Sequence, residues 1–130
     1  MAFEDFLSVR VVRRGAGGVT CRCRIRPDLL NTNGVLHGGV AASIADEAAW
    51  HCLNHRYGPG RDCTTSDLKI NYLRPLSGEN VTARGTILRA GRTFCVSRID
   101  LLDPKRRLCA VAIVSYMLLD GAQGKGAAKT

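Results

Sequence analysis

His37-Gly38-Gly39-Val40-Ala41-Ala42-Ser43-Ile44-Ala45-Asp46-Glu47-Ala48-Ala49-Trp50-His51-Cys52-Leu53-Asn54-His55 is the stretch on which the fold turns. From Val40 to about His55 it contains no Pro or Gly and is rich in alanine. That composition predicts one long helix of good propensity. Its small side chains let the backbone come close to a packing surface. Gly58-Pro59-Gly60 stops it.

Everything around this helix reads as strand. Val19, Cys21, Cys23 and Ile25 alternate with Thr20, Arg22, Arg24 and Arg26, which is the period of a half-buried strand. Pro27 ends it. Val9 to Arg14 is its expected hairpin partner, turned through Gly15, Gly17 and Gly18. Residues 3–9 predict a short helix or an irregular arm. Asn31-Thr32-Asn33-Gly34 is a turn. Beyond the helix, Leu68, Ile70 and Tyr72 alternate, then Val81–Ala90, Thr93–Leu102 and Leu108–Leu119 follow, separated by Pro75, Gly78, Gly91 and Asp103-Pro104. The last of these is apolar almost throughout, which predicts a strand covered on both faces. The order is two strands, one long helix and four strands. It predicts an α+β hotdog fold, a curled antiparallel sheet wrapped around one long central helix. A plain antiparallel α+β sandwich is the competing architecture. Residues 1–120 are expected to form a single domain. Residues 121–130, GAQGKGAAKT, have nothing to bury and are expected to form a flexible tail.

The composition bounds the function. With 130 residues, 45% apolar and 23% charged, the chain can bury a core without disulfides or metal. No window approaches the roughly 20 apolar residues of a membrane span. Acidic Glu4 and Asp5 argue against a signal peptide, so a cytoplasmic location is expected. Cys21, Cys23, Cys52, Cys63, Cys95 and Cys109 form no CxxC, and most alternate within apolar strands, as small buried hydrophobes do. The net charge is +8, from 19 Lys plus Arg against 11 Asp plus Glu, and 15 of the 19 are arginine. Nucleic acid is not the expected partner, because the seven aromatics are scattered and no recognition signature is present.

Several residues carry chemistry. Gly38 and Gly39 stand where the helix begins, where free backbone N–H groups favour developing negative charge and glycine admits a ligand. They can equally serve only the turn. Asp46 sits mid-helix among Ile44, Ala45, Ala48 and Ala49, where a carboxylate needs a partner or a task. Glu47 points about 100° away from it, so the two are not a dyad. Glu47 is expected to be solvated or salt-bridged. Asn31, Asn33, Thr64, Thr65 and Ser66 can position a water or cap a turn. His37 can act in catalysis or hold the helix start. His51 and His55 are four apart, a metal-compatible spacing, but no third ligand lies near, and no metal site is expected. Cys52 lacks a basic partner and reads as core. Trp50, Leu53 and Tyr72 are candidates for shaping an apolar pocket or for ordinary packing.

Asn31-x-x-Gly34-x-x-His37-Gly38-Gly39-Val40 with Ser43-Ile44-Ala45-Asp46 resembles the signature of PaaI-type hotdog acyl-CoA thioesterases. The resemblance continues through Thr65-Ser66-Asp67-Leu68-Lys69-Ile70-Asn71-Tyr72-Leu73-Arg74-Pro75, Gly78, Ala83 and Ala90-Gly91-Arg92 to the final apolar strand. It implies that Asp46 is the catalytic carboxylate, acting as nucleophile or general base. It implies that the Gly38 N–H polarises the thioester carbonyl. His37 and Asn31 match positions that hold the helix start, the substrate or the water, and Thr65 one that orients the water. The substrate implied is an acyl-CoA with an aryl or medium-chain acyl group. Coenzyme A is part of that substrate, and no cofactor is expected. A non-catalytic acyl-CoA-binding module and a hotdog hydratase or dehydratase are the alternatives.

Gly38 and Asp46 lie eight residues apart on one helix, so roughly 12 Å apart along its axis. Oxyanion donor and nucleophile must each come within about 3–3.5 Å of one carbonyl. One helix cannot supply both. The expected site therefore combines Gly38 of one chain with Asp46 of another in a homodimer, which the resemblance extends to a homotetramer. A CoA ligand also explains part of the charge, since arginine forks suit phosphate oxygens. Arg92 beside Gly91 is the first candidate contact, with Arg74 and Arg89 behind it, and Gly39 is expected to line the substrate at the helix start. The remaining arginines are expected to be solvated strand faces whose field attracts an anionic substrate.

Overall fold

The alternation along Gly18–Arg24 becomes a strand with Val19, Cys21 and Cys23 buried and Arg22 and Arg24 exposed. This is the simplest case of the rule that orders the whole sheet, seen in a computed structural model that describes residues 1–120. Six strands form one antiparallel sheet: β1 (Arg10–Gly15), β2 (Gly18–Arg24), β3 (Cys63–Tyr72), β4 (Asn80–Ala90), β5 (Phe94–Leu102) and β6 (Leu108–Leu118). Their order across the sheet is β1-β2-β4-β5-β6-β3. A short helix α1 (Phe3–Leu7) precedes them, and a single turn of 3-10 helix, Pro27–Leu29, follows β2. The long helix α2 (Gly38–Tyr57) lies against the inner face and touches β2 to β6.

α2 begins two residues earlier and ends two later than its alanine-rich stretch. Its N-cap is His37, whose ring Nδ1 accepts the Gly39 N–H at 2.9 Å, so both glycines are helical. Ala41, Ile44, Ala45, Ala48, Ala49, Cys52 and Leu53 are buried along it. They meet Cys21, Val81, Ala83, Ile99, Leu101, Ala112 and Val114 of the inner sheet face in one core. At Gly85 helix and strand approach so closely that an added Cβ would stand 2.5 Å from Cys52 Sγ. The small residues of helix and strand are what let the sheet curl around α2. All six cysteines are free, and Cys21 and Cys52 are fully buried. Burial pushes the Cys52 thiol up to about 11, so it stays protonated within the core.

The final strand departs from expectation. β6 lies inside the sheet between β5 and β3, but only its inner row is covered. Ile113 and Met117 point outward, each 37% exposed, with no second layer over that face among the described residues. No helix among the described residues is long and apolar enough to cross a membrane. The expected tail, residues 121–130, lies outside the described residues.

Candidate functional site

The inner row of edge strand β3 runs beside α2. A bulge between Thr65 and Asp67 turns Thr65 inward, opposite Tyr116 of β6. Three side chains then converge. Asp46 Oδ1 accepts the Thr65 hydroxyl at 2.8 Å and the Tyr116 phenol at 2.9 Å. The phenol also lies 3.2 Å from the Asp46 carbonyl oxygen. Among the described residues, Oδ2 makes no hydrogen bond, so one carboxylate oxygen is held and one is available. Tyr116 is 7% exposed, and desolvation holds its phenol above the usual range, so it remains a donor.

At the start of α2, Gly39 N–H is taken by His37 Nδ1, and the Val40 and Ala41 N–H groups by the His37 carbonyl at 3.0 Å each. Gly38 N–H is left without a partner among the described residues. Tyr72, at the end of β3, donates its phenol to the Gly38 carbonyl and fixes that peptide. Asn31 shapes the preceding turn: its Oδ1 accepts the N–H groups of Asn33 at 2.9 Å and Val35 at 3.3 Å. Gly34, at φ +80°, closes that turn.

A cleft of about 790 Å³ opens at Asp46 and Thr65. Trp50, Val9, Cys63 and Tyr116 line it, with Phe3, Glu4 and Asp5 of α1 along one side. Glu47 also faces it, which the sequence reading did not foresee. Its side chain is only 17% exposed, and its sole ion-pair contact is loose, 3.9 Å to His51 Nε2. Desolvation, then the nearby charges of Glu4, Asp46 and Asp5, push its carboxyl from 4.5 up to about 7. It is thus neither solvated nor firmly salt-bridged. Burial lowers the His51 pKa, despite a hydrogen bond to the Val9 backbone.

The two helix histidines diverge. His55 Nε2 lies 2.7 Å from the Gly15 carbonyl, while His51 turns toward Val9 and Glu47. No group of three His, Cys, Asp or Glu among the described residues could hold a metal. Leu53 is fully buried core, whereas Trp50 reaches the cleft.

The expected arginines fall in two places. Arg89 and Arg92 flank Gly91 in the β4–β5 turn, which the Tyr57 phenol ties to the end of α2 through the Gly91 carbonyl. Arg74 follows β3 at the opposite end of α2, its N–H on the Cys109 carbonyl at 3.1 Å. All three arginines are exposed. Within one chain they do not form one cluster. Nor does His37 reach Asp46, so the facing imidazole and carboxylate of a hydratase are not assembled in one chain.

Tyr116 is the residue the sequence reading missed. The signal was a phenol on the inner row of an apolar strand, where a buried hydroxyl needs an acceptor.

Comparison with known proteins places the chain in a family. The family model described as Thioesterase superfamily matches residues 33–110. A protein of Saccharolobus solfataricus, named for a proposed esterase activity, is 32% identical over 114 residues, covering 88% of this chain and 81% of its own. The medium/long-chain acyl-CoA thioesterase YigI of Escherichia coli is 35% identical over 97 residues, covering 65% of this chain and 63% of its own, under two thirds of its length. The PaaI protein of the E. coli phenylacetic acid degradation operon has the same fold, with a TM-score of 0.78, 22% identity, and coverage of 91% of this chain and 84% of its own.

Proposed function

Since the chain belongs to the thioesterase superfamily in its PaaI-type hotdog form and is a thioester hydrolase, we propose that it hydrolyses acyl-CoA thioesters to free acid and coenzyme A. The acyl group is aryl or medium-chain and enters the cleft beside Trp50. One observation carries this reading: among the described residues, α2 bears an unpartnered N–H at Gly38 and, at Asp46, a carboxylate with one oxygen held and one available.

Gly38 N–H takes the thioester carbonyl oxygen, helped by the positive end of the α2 dipole. Thr65 and Tyr116 fix the Asp46 carboxylate through Oδ1. Oδ2 either removes a proton from water or attacks the carbonyl carbon itself. In the first route the water oxygen bonds to the acyl carbon, the C–S bond breaks, and the thiolate takes up a proton. In the second, Oδ2 bonds to the acyl carbon as the C–S bond breaks and the thiolate leaves to take up a proton, and water then hydrolyses the resulting acyl-aspartyl anhydride to the free acid and the Asp46 carboxylate. His37 holds the helix start and Asn31 the turn before it.

The site is shared between chains. α2 is unbroken from Gly38 to Tyr57, so the Gly38 N–H and the Asp46 carboxylate are about 12 Å apart along it. Two such helices, related by a two-fold axis, can bring Gly38 of one chain to Asp46 of the other. β3 favours this pairing, because among the described residues it hydrogen-bonds to β6 alone and leaves its other edge open. The outward row of Phe94, Ile113 and Met117 is a second surface, suited to joining dimers into a homotetramer. CoA phosphates would meet Arg92 and Arg89 around Gly91, with Arg74 and Gly39 contributing at the other end of the helix.

The test is release of CoA from an aryl and aliphatic acyl-CoA panel by the wild type and by Asp46→Asn. We expect the variant to lose about a thousandfold in kcat. Wild-type turnover by Asp46→Asn would overturn the assignment.

A further inference from the structure

The sheet face turned away from α2 carries a feature that thioester hydrolysis does not use. At its β1–β2–β4 end, Arg10, Arg13, Arg22, Arg24 and Arg84 stand on neighbouring strands, and Arg106 reaches them from the β5–β6 turn. Three adjoining hollows of about 210, 390 and 310 Å³ all include Arg22 in their walls. None of them shares a residue with the cleft at Asp46.

The charges here are not balanced internally. Arg10 and Arg22 are direct partners in the β1–β2 ladder, and like charges placed opposite each other destabilise a sheet. Among the described residues, Arg10, Arg13, Arg22, Arg24 and Arg106 have no carboxylate within 4 Å. Two nearby acids offset only part of this charge, Asp100 through Arg84 of the cluster itself and Asp103 from the wall of one hollow. Asp100 holds Arg98 at 2.9 Å and Arg84 at 3.5 Å. Asp103 is taken by Arg107 at 2.8 Å and by the backbone N–H groups of Lys105 and Arg107. Arg106 adopts φ +66°, a backbone region that arginine rarely occupies. None of the residues lining the three hollows is aromatic, so nothing there would stack a base.

We infer that this arginine groove is a binding site for linked phosphates, an oligophosphate chain read by its charge and not by an attached base. Guanidinium forks on adjacent strands, about 5 Å apart, can share the oxygens of consecutive phosphates. The bound anion would relieve the Arg10–Arg22 repulsion. The chemistry is common to inorganic polyphosphate and to the phosphate tail of a nucleotide.

The experiment is calorimetric titration and thermal unfolding of the full chain at matched ionic strength. The probes are inorganic tripolyphosphate, adenosine triphosphate and a single-stranded oligonucleotide. Saturable binding and a raised Tm with tripolyphosphate are expected, with adenosine triphosphate of similar affinity. The double variant Arg22→Gln/Arg24→Gln should bind at least about tenfold more weakly while keeping its fold and its thioesterase turnover. A thermal response equal to that of sodium chloride, or unchanged in the double variant, would overturn the site. Adenosine triphosphate binding over tenfold tighter than tripolyphosphate would overturn recognition by phosphate alone. So would a length-dependent preference for the oligonucleotide, which would make the groove a nucleic-acid surface.

Discussion

Tyr116 of β6 donates its phenol to Oδ1 of Asp46 at 2.9 Å, on the same oxygen that Thr65 of β3 reaches at 2.8 Å. Two strands thus aim one helical carboxylate. A hydrogen bond to a charged group contributes about 1.5–3 kcal/mol. Tyr116→Phe should therefore lower kcat about tenfold or more, with KM nearly unchanged. Thr65→Val should act similarly. Because both bonds fix one carboxylate, the double variant should lose less than the product of the single losses. Steady-state kinetics of the three variants checks this, and strict multiplicativity would argue against a shared role.

Glu47 makes the protein pH-sensitive. Its carboxyl is raised from 4.5 to about 7 by burial and by Glu4, Asp46 and Asp5, with His51 alongside on α2. The folded state therefore holds a proton that the unfolded state has released. The associated stability is fully present below about pH 4.5 and is lost as pH rises through about 7. Glu47→Gln keeps the neutral form at every pH. At pH 8 it should melt roughly 3–6 °C above the wild type, and the gap should close near pH 4.5. Thermal unfolding followed against pH tests this directly.

The two routes open to Asp46 leave different isotopic traces. A single turnover in ¹⁸O-water, with enzyme in excess, labels the acid product if Asp46 activates water. If Asp46 attacks the thioester, hydrolysis of the anhydride can leave label in the Asp46 side chain. Label in the peptide containing Asp46, read by mass spectrometry, is the diagnostic outcome and establishes attack by Asp46.

Much of the fold was legible because each element announces itself locally. The β2 alternation, the alanine run of α2 and the Pro and Gly breaks around them required no tertiary information. The alanine run alone does not carry the helix back to Gly38 and Gly39, whose helix propensity is poor. The His37 cap and the Tyr72 phenol offset that deficit through contacts that propensity does not record. The open outer face of β6 was not legible either, since an apolar run looks the same whether a layer of the same chain or another copy covers it. Asp46, Thr65 and Gly38 were marked as candidates by motif. Tyr116 and Glu47 were not, because their roles follow from which strand lies beside which helix. The β3 bulge that turns Thr65 inward is likewise a register effect.

If Gly38 and Asp46 of different chains form each site, two inactive variants should complement each other in mixed dimers. Gly38 is the first residue of α2 and follows an extended His37, so Gly38→Pro should remove the N–H while leaving the helix intact. Alone, Gly38→Pro and Asp46→Asn should each lose at least about a hundredfold in kcat. Co-expressed in equal amounts, they should form mixed dimers with one intact site each, restoring about a quarter of wild-type activity. No restoration in verified mixed dimers would contradict the shared site and place both groups within one chain.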